Sequence, residues 1–280
     1  MGILQRSTGL LNIFLMTPRT PFQITRAVIF ALLLREMRTR FGQRQLGAFW
    51  MLAEPIIQLI AMTVVMGVIR GRGPVQGIPF QVFLLTGIAP FVMFRGVAML
   101  MMEGLSANRG LFAYKQVMPM DTFVARTIMQ CSLASISYLF VMAIFAWYGF
   151  DMSIHQPLEW LGLLLMGVAL AFGMGLVLAV IVDALPAART FTRFFFLVLY
   201  LSSGAMLPVT RFPEYALQYL AWNPFLHLTE LLRQAVFPFY QVIDLTSFPY
   251  LAACTGVFLT VGLGLFRIRR LKMLAIKGIV

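Results

Sequence analysis

The chain has 280 residues, of which 60% are hydrophobic and only 11% charged, and its net charge is +12. A soluble domain has too little interior to bury so much apolar surface, so the composition defines a polytopic membrane protein. The basic residues flank apolar runs instead of collecting on a soluble face, which excludes nucleic acid as a partner and assigns the charge to orientation and anionic lipid.

Residues 1–21 are irregular and punctuated by Pro18 and Pro21. The apolar patch at 10–16 is broken by Asn12 and stopped by Pro18, so no cleavable signal peptide is expected. Residues 22–44 are predicted as a helix whose uninterrupted apolar part, 27–34, covers ~12 Å at ~1.5 Å per residue. The hydrocarbon core is ~30 Å thick, so this amphipathic helix lies in the interface instead of crossing. It leads into Arg35, Arg38, Arg40 and Arg44, then Phe49 and Trp50, then apolar sequence interrupted early by Glu54-Pro55. Headgroups favour cations and the interface favours aromatic rings. Two readings stand side by side: an ordinary orientation flank, or a doorway for an anionic lipid-linked substrate.

Six apolar runs follow, at 46–69, 80–102, 122–148, 157–182, 191–207 and 248–266. Each is near the ~17–25 residues that a helix needs to cross. None alternates as barrel strands do, so the predicted fold is all-α with six transmembrane helices. Seventeen Lys and Arg fall in the termini and the 103–126 and 183–193 segments, against Arg70, Arg72, Arg211 and Arg233 on the other side. The positive-inside rule then puts both termini in the cytosol and requires an even number of crossings. Within 208–247, the amphipathic pieces 214–221 and 225–236 reach only ~12 and ~18 Å. They are predicted as re-entrant helices dipping back from the outer face and broken at Asn223-Pro224.

Between spans two and three, Glu103, Gly104, Gly110, Leu111, Phe112 and Tyr114 suggest a small cytosolic helix with exposed apolar side chains, either a docking element or a plain loop. Asp121 or Thr122 is placed to cap the third span. Gly167, Ala171, Gly175 and Ala179 form a small-residue stripe, repeated by Gly256, Thr260 and Gly264, for packing within the subunit or along a dimer seam. Aromatic residues including Phe91, Phe94, Phe194, Phe195, Phe196, Tyr200 and Trp222 are expected at span ends, as interfacial anchors or as sugar-stacking surfaces. Cys131 and Cys254 lie within apolar runs and read as packing residues.

No catalytic or metal-binding spacing is present. His155 and His227 belong to no zinc pattern, and no lysine follows a glycine, so a GxxxxGK[ST] phosphate loop cannot occur. ATP, if used, is hydrolysed by another polypeptide. The centres of spans three to six carry no charge, which disfavours a proton-coupled carrier and leaves it as an alternative.

Three motifs carry a resemblance. They are Arg38-x-Arg40-Phe41-Gly42-x-x-x-Leu46-Gly47-x-x-Trp50-x-x-x-Glu54-Pro55, Pro119-x-Asp121-Thr122-Phe123-x-Ala125-Arg126, and Asn223-Pro224-x-x-His227-x-x-Glu230-x-x-Arg233. The chain resembles the membrane subunit of type-2 ABC exporters, and among them the capsular-polysaccharide export permeases of Gram-negative bacteria. O-antigen and teichoic-acid exporters share the first and last motifs.

The resemblance implies an inner-membrane homodimer bound to two copies of an ATPase subunit, which would hold ATP and Mg while this chain binds no cofactor. It further implies a periplasmic polysaccharide co-polymerase-type adaptor, an outer-membrane exporter and a lipid-linked polysaccharide as partners. By analogy, residues 1–45 form the cytosolic N-terminus, 46–266 the transmembrane domain and 267–280 a basic tail. Residues 103–121 would be the coupling helix, with Glu103, Gly104, Gly110, Leu111 and Phe112 docking the ATPase. Arg38, Arg40, Arg44, Trp50 and Glu54 would form the substrate doorway. Within 208–247, Trp222, Asn223, Pro224, His227, Glu230 and Arg233 would shape an outer gate. For the last five, capping and hydrogen bonds within the hairpin stand beside sugar contact. The spacing of Glu230 and Arg233 suits a helix-surface ion pair.

Overall fold

A computed structural model of the chain describes residues 20–42, 49, 53, 56–58, 61, 62, 65, 73–113 and 117–274, with the backbone alone at 40–42, 113 and 270–274. Among these residues the structure is helical. Helix α1 (Pro21–Gly42) starts after a reciprocal cap. The Gln23 N–H donates to Thr20 Oγ1 and the Thr20 N–H to Gln23 Oε1, with Pro21 at the first helical position. Helix α2 (Phe80–Met102) coincides with the predicted second span. It leads into the short α3 (Gly104–Asn108) and a 3-10 turn, Arg109–Ala113.

Helix α4 (Pro119–Trp147) begins earlier than the expected cap. Pro119 cannot donate and pre-sets the helical φ, so it takes the first position. Asp121 instead sits in the first turn and accepts from the Met118 N–H at 3.0 Å, while Thr122 Oγ1 donates to the Pro119 carbonyl at 2.7 Å. Helix α5 (Pro157–Ala184) follows, then α6 (Ala188–Ser202), α7 (Glu214–Leu220), α8 (Pro224–Val236) and α9 (Phe248–Leu274).

Four of these helices are long and apolar enough to cross a membrane: α2, α4, α5 and the part of α9 up to Arg269. Helix α6 has 15 residues and reaches about 22 Å, short of a full crossing. The predicted fifth span is therefore shifted and shortened, because the chain turns at Gly204, whose φ of +69° suits only glycine without strain. The predicted first span, 46–69, lies mostly outside the described residues.

Helix α5 is the hub, packed against α2, α9 and α8. Without water to drive burial, close backbone approach and dense van der Waals contact hold such helices together. The stripe delivers this. A Cβ on Gly167 would stand 2.4 Å from Phe94, and one on Gly175 would stand 2.8 Å from the Met101 Cβ. On the opposite side of α5, Gly173 meets α9: a Cβ there would lie 2.7 Å from the Leu259 nitrogen. Its partner on α9 is Gly262, not the predicted Gly256 and Gly264, which have open space around them. Packing within the chain explains the α5 stripe. Phe91, Phe94, Phe196 and Tyr200 are also buried in the core instead of lying at the interface, whereas Phe194, Phe195 and Trp222 are exposed.

Candidate functional site

Two polar clusters occupy opposite ends of α2. At about 1.5 Å per residue, Phe83 in one and Leu100 in the other are separated by about 26 Å of helix.

The first cluster is built around the 221–223 turn and α8. Asn223 caps α8 by accepting from the Phe225 N–H at 3.0 Å, and Pro224 fills the first helical position. The Asn223 amide also donates to the Leu199 carbonyl at 2.9 Å and the Ser202 hydroxyl at 2.8 Å, which fastens the turn to the end of α6. His227 lies 2.7 Å from the Ala221 carbonyl through Nε2, and its Nδ1 is 3.1 Å from the Ser247 backbone nitrogen. A carbonyl can only accept and an N–H can only donate, so the ring is neutral with its proton on Nε2. Burial, which lowers the imidazole pKa, favours the same state. The Tyr250 hydroxyl donates to the Trp222 carbonyl at 2.9 Å. The turn is thereby fastened to α6, α8 and α9 together.

One turn further along α8, Glu230 and Arg233 are both fully buried. The sequence suggested a helix-surface pair, and here the structure corrects it. Their side chains meet at 3.4 Å, but most of the support comes from remote parts of the chain. Arg233 donates to the Ala205 carbonyl at 3.0 Å and the Phe83 carbonyl at 3.4 Å, and its guanidinium lies 3.7 Å over the Phe83 ring. The Tyr240 hydroxyl donates to Glu230 at 2.8 Å. Burial pushes the Glu230 carboxyl above its ordinary range, against the opposing pull of Arg233 and Tyr240. Gly87 opens the space: a Cβ there would stand 2.4 Å from both the Ala205 carbonyl and Arg233.

The second cluster joins the far ends of α1, α2, α3, α4, α5 and α6. Arg126 on α4 pairs with Glu36 on α1 at 2.8 Å and donates to the Leu100 carbonyl at 2.8 Å. Arg35 donates to Asn108 at 2.6 Å, and Asn108 donates to the Gly104 carbonyl at 2.8 Å. Two more exposed pairs, Arg109–Asp183 at 3.0 Å and Arg189–Glu103 at 3.1 Å, close the ring.

Within the expected docking segment, Gly104, Leu105, Asn108 and Phe112 face inward and Leu111 is half-buried, while Ser106, Ala107, Arg109 and Gly110 are exposed. The apolar residues are spent on the protein's own interior: a Cβ on Gly104 would press on the Phe123 ring at 2.9 Å. The segment is thus a braced corner with a polar outer edge. Of the expected doorway, Arg38 is exposed near the end of α1. Arg44, Trp50, Glu54 and the Arg40 side chain lie outside the described residues.

Glu36, Asn108, Arg126 and Tyr240 were missed from sequence. Arg126 counts as a flanking charge and closes the Pro119–Arg126 motif, with no role of its own assigned. The available signal was Glu36, the one acid in the first 53 residues, set among arginines that could not all be equivalent. Among the described residues no group of three or more His, Cys, Asp or Glu is placed to hold a metal, and Cys131 and Cys254 are free.

A helical bundle with polar fasteners at both ends and spans held by small-residue contacts is the architecture of a polytopic membrane protein. Comparison with known proteins gives the class a family. Residues 27–237 match the model of the ABC-2 type transporter family, and the chain belongs to that family. It is 34% identical over 256 residues to the polysialic acid transport protein KpsM of Escherichia coli, covering 91% of this chain and 98% of that protein. It is also 28% identical over 246 residues to the capsule polysaccharide export inner-membrane protein CtrC of Neisseria meningitidis serogroup B, 86% of this chain and 91% of the relative. A similar match, 28% over 236 residues, joins it to the capsule polysaccharide export inner-membrane protein BexB of Haemophilus influenzae, 84% of this chain and 88% of the relative. Family membership makes the chain a permease subunit whose ATP is hydrolysed on a separate ABC ATPase.

Proposed function

We propose that this chain is the channel-forming permease of an ATP-driven exporter that moves lipid-linked capsular polysaccharide across the bacterial inner membrane. The observation that carries the reading is the near end-to-end match to relatives named for polysialic acid transport and capsule polysaccharide export. In this reading the chain works as a homodimer with six crossings per subunit and both termini cytosolic. The 46–69 run and α6, extended by the buried turn that follows it at 203–206, complete the set, and α7 and α8 re-enter from the outer face.

Each polar cluster then has a role. The α3 corner docks one of two ATPase copies through its exposed edge, Ser106, Ala107, Arg109 and Gly110, while Gly104, Leu111 and Phe112 brace that edge from within. Arg38, Arg40 and Arg44, with Trp50 and Glu54, receive the anionic lipid end of the substrate, since Arg matches phosphate with a two-pronged fork. Because Arg35 and Glu36 tie α1 to Asn108 and Arg126, movement of the docked corner reaches the doorway directly. The α7–α8 hairpin forms the outer gate, from which polymer passes to a periplasmic adaptor and an outer-membrane exporter.

Deletion of the gene tests the proposal. The expected result is polymer retained inside the cell on its lipid, with none at the surface. Surface polymer at wild-type level would refute it, and the sugar chemistry of the retained glycolipid separates capsule from O-antigen cargo.

A further inference from the structure

Two arginines stand about 10 Å, or seven residues, inside the same end of the bundle: Arg126 on α4 and Arg95 on α2. Arg126 is buried and paired with Glu36. Arg95 is half-buried and, among the described residues, makes no ion pair. A guanidinium cannot shed its proton, so it carries full charge within a membrane-crossing helix, where ionisable side chains are costly and mark pathways.

The surroundings of Arg95 are polar from several directions. One turn before it, Phe91 packs against the Tyr200 ring of α6, centroid to centroid 5.0 Å. The Tyr200 side chain is buried, and its hydroxyl makes no well-formed hydrogen bond: Gln58 lies beside it in a loose one, and Arg95 is near enough for its charge to act on the phenol. One residue after it, Gly96 is met by Gln130 of α4: a Cβ on Gly96 would stand 2.3 Å from Gln130 Nε2. Arginine, tyrosine and one glutamine from three segments of the chain therefore meet inside an apolar bundle, with Gln130 packed on the adjoining face of α2. A buried hydroxyl held only by a loose hydrogen bond recovers little of its lost hydration, and a ligand that supplies an acceptor for its proton would restore more.

We infer that Arg95 and Tyr200 form an oxyanion-binding station inside the bundle, which takes a carboxylate or phosphate group of the exported glycolipid as it passes. The inference rests on the export reading above. Arg95 offers its donor fork and Tyr200 its hydroxyl, so both donate to the same anion, with the Gln58 amide beside them. A station of this kind favours anionic over neutral glycans.

The test uses the full chain together with its ATPase in phosphatidylcholine vesicles. An oligogalacturonate and a neutral maltooligosaccharide of equal length serve as probes, and their dissociation constants are measured. A second arm replaces the sugars with phosphatidylglycerol in the vesicle, to separate a sugar acid from a lipid phosphate as the source of the anion. The expected result is about tenfold tighter binding of the charged probe by the wild type, as one charge-assisted hydrogen bond supplies. Arg95→Gln removes this preference, Arg95→Lys keeps part of it and Tyr200→Phe reduces it a few-fold.

Charge preference unchanged in Arg95→Gln in both arms would overturn the station. So would full recovery of that preference in an Arg95→Glu/Glu54→Arg exchange, which would make Arg95 the structural partner of Glu54. Where Arg95→Gln fails to fold, Arg95→Lys and Tyr200→Phe decide, because a purely structural charge predicts no change in charge preference for either. Cell-surface polymer in the wild type, scored separately, tells failure of the station from failure of the export reading.

Discussion

The two ends of α2 solve the same problem, holding ionisable groups in a membrane bundle, in opposite ways. At the Phe83 end, Glu230 and Arg233 are fully buried against fixed partners, two carbonyls, a phenol and an aromatic face, while Glu230 Oε2 and Arg233 Nε have none. At the Leu100 end only Glu36–Arg126 is buried, while Arg109–Asp183 and Arg189–Glu103 remain open to solvent. A buried pair whose hydrogen bonds are supplied by distant backbone tolerates little movement, because any shift leaves a charge uncompensated. Exposed pairs are screened and re-form at small cost. The first end is thus the more rigid of the two, and the second can flex at its rim while α1 stays fastened.

The largest effect is expected from Arg233→Met. It leaves Glu230 buried without its cation and should cost about 3–5 kcal/mol. Adding Glu230→Gln should recover much of that loss, and thermal unfolding of the detergent-solubilised protein measures both. A small loss for the single variant would show that this end is no more rigid than the other.

Next comes Glu36→Gln, which weakens a charge-assisted hydrogen bond and should cost about 1.5–3 kcal/mol. The loss should be local: hydrogen exchange should speed up in α1 and leave α5 and α9 unchanged. Exchange rising throughout the bundle would mean that the α1 fastening is part of the core and not a separate joint.

Gly175→Leu lies between the two ends and forces α2 away from α5, for about 1–3 kcal/mol. Gly256→Leu, where nothing lies within 4 Å, should fold normally and serves as the control. The smallest stability effects belong to the rim. Arg109→Ala should cost at most about 1 kcal/mol. Ala107→Asp, on the exposed edge of α3, should leave stability within about 0.5 kcal/mol yet release the ATPase from a pull-down. Phe112→Asp should instead destabilise the permease itself, since it buries a charge.

This contrast also separates what was legible in the sequence from what was not. Apolar run length and the positions of proline fixed the long helices, and α2 emerged with the expected bounds. The small-residue stripe of α5 was readable because four-residue spacing defines one helix face. Spacing could not choose the face of α9, where Gly262 does the packing and Gly256 and Gly264 look identical in pattern. The Glu230–Arg233 spacing was visible, but its burial depends on Phe83 and Ala205, 150 and 28 residues away from Arg233. Asn108 and Arg126 were hidden for the same reason: a polar residue near a span end is ordinary until its partner on another helix is placed beside it.

The central claim is that this chain is the permease half of an exporter, energised from outside itself. It is tested most directly by purifying the chain from its native membrane and assaying what comes with it. The account predicts a co-purifying ABC ATPase whose ATP hydrolysis changes when the permease is removed, together with an anionic glycolipid bound to the complex. A chain that purifies with no ATPase, or with one indifferent to its presence, would contradict it.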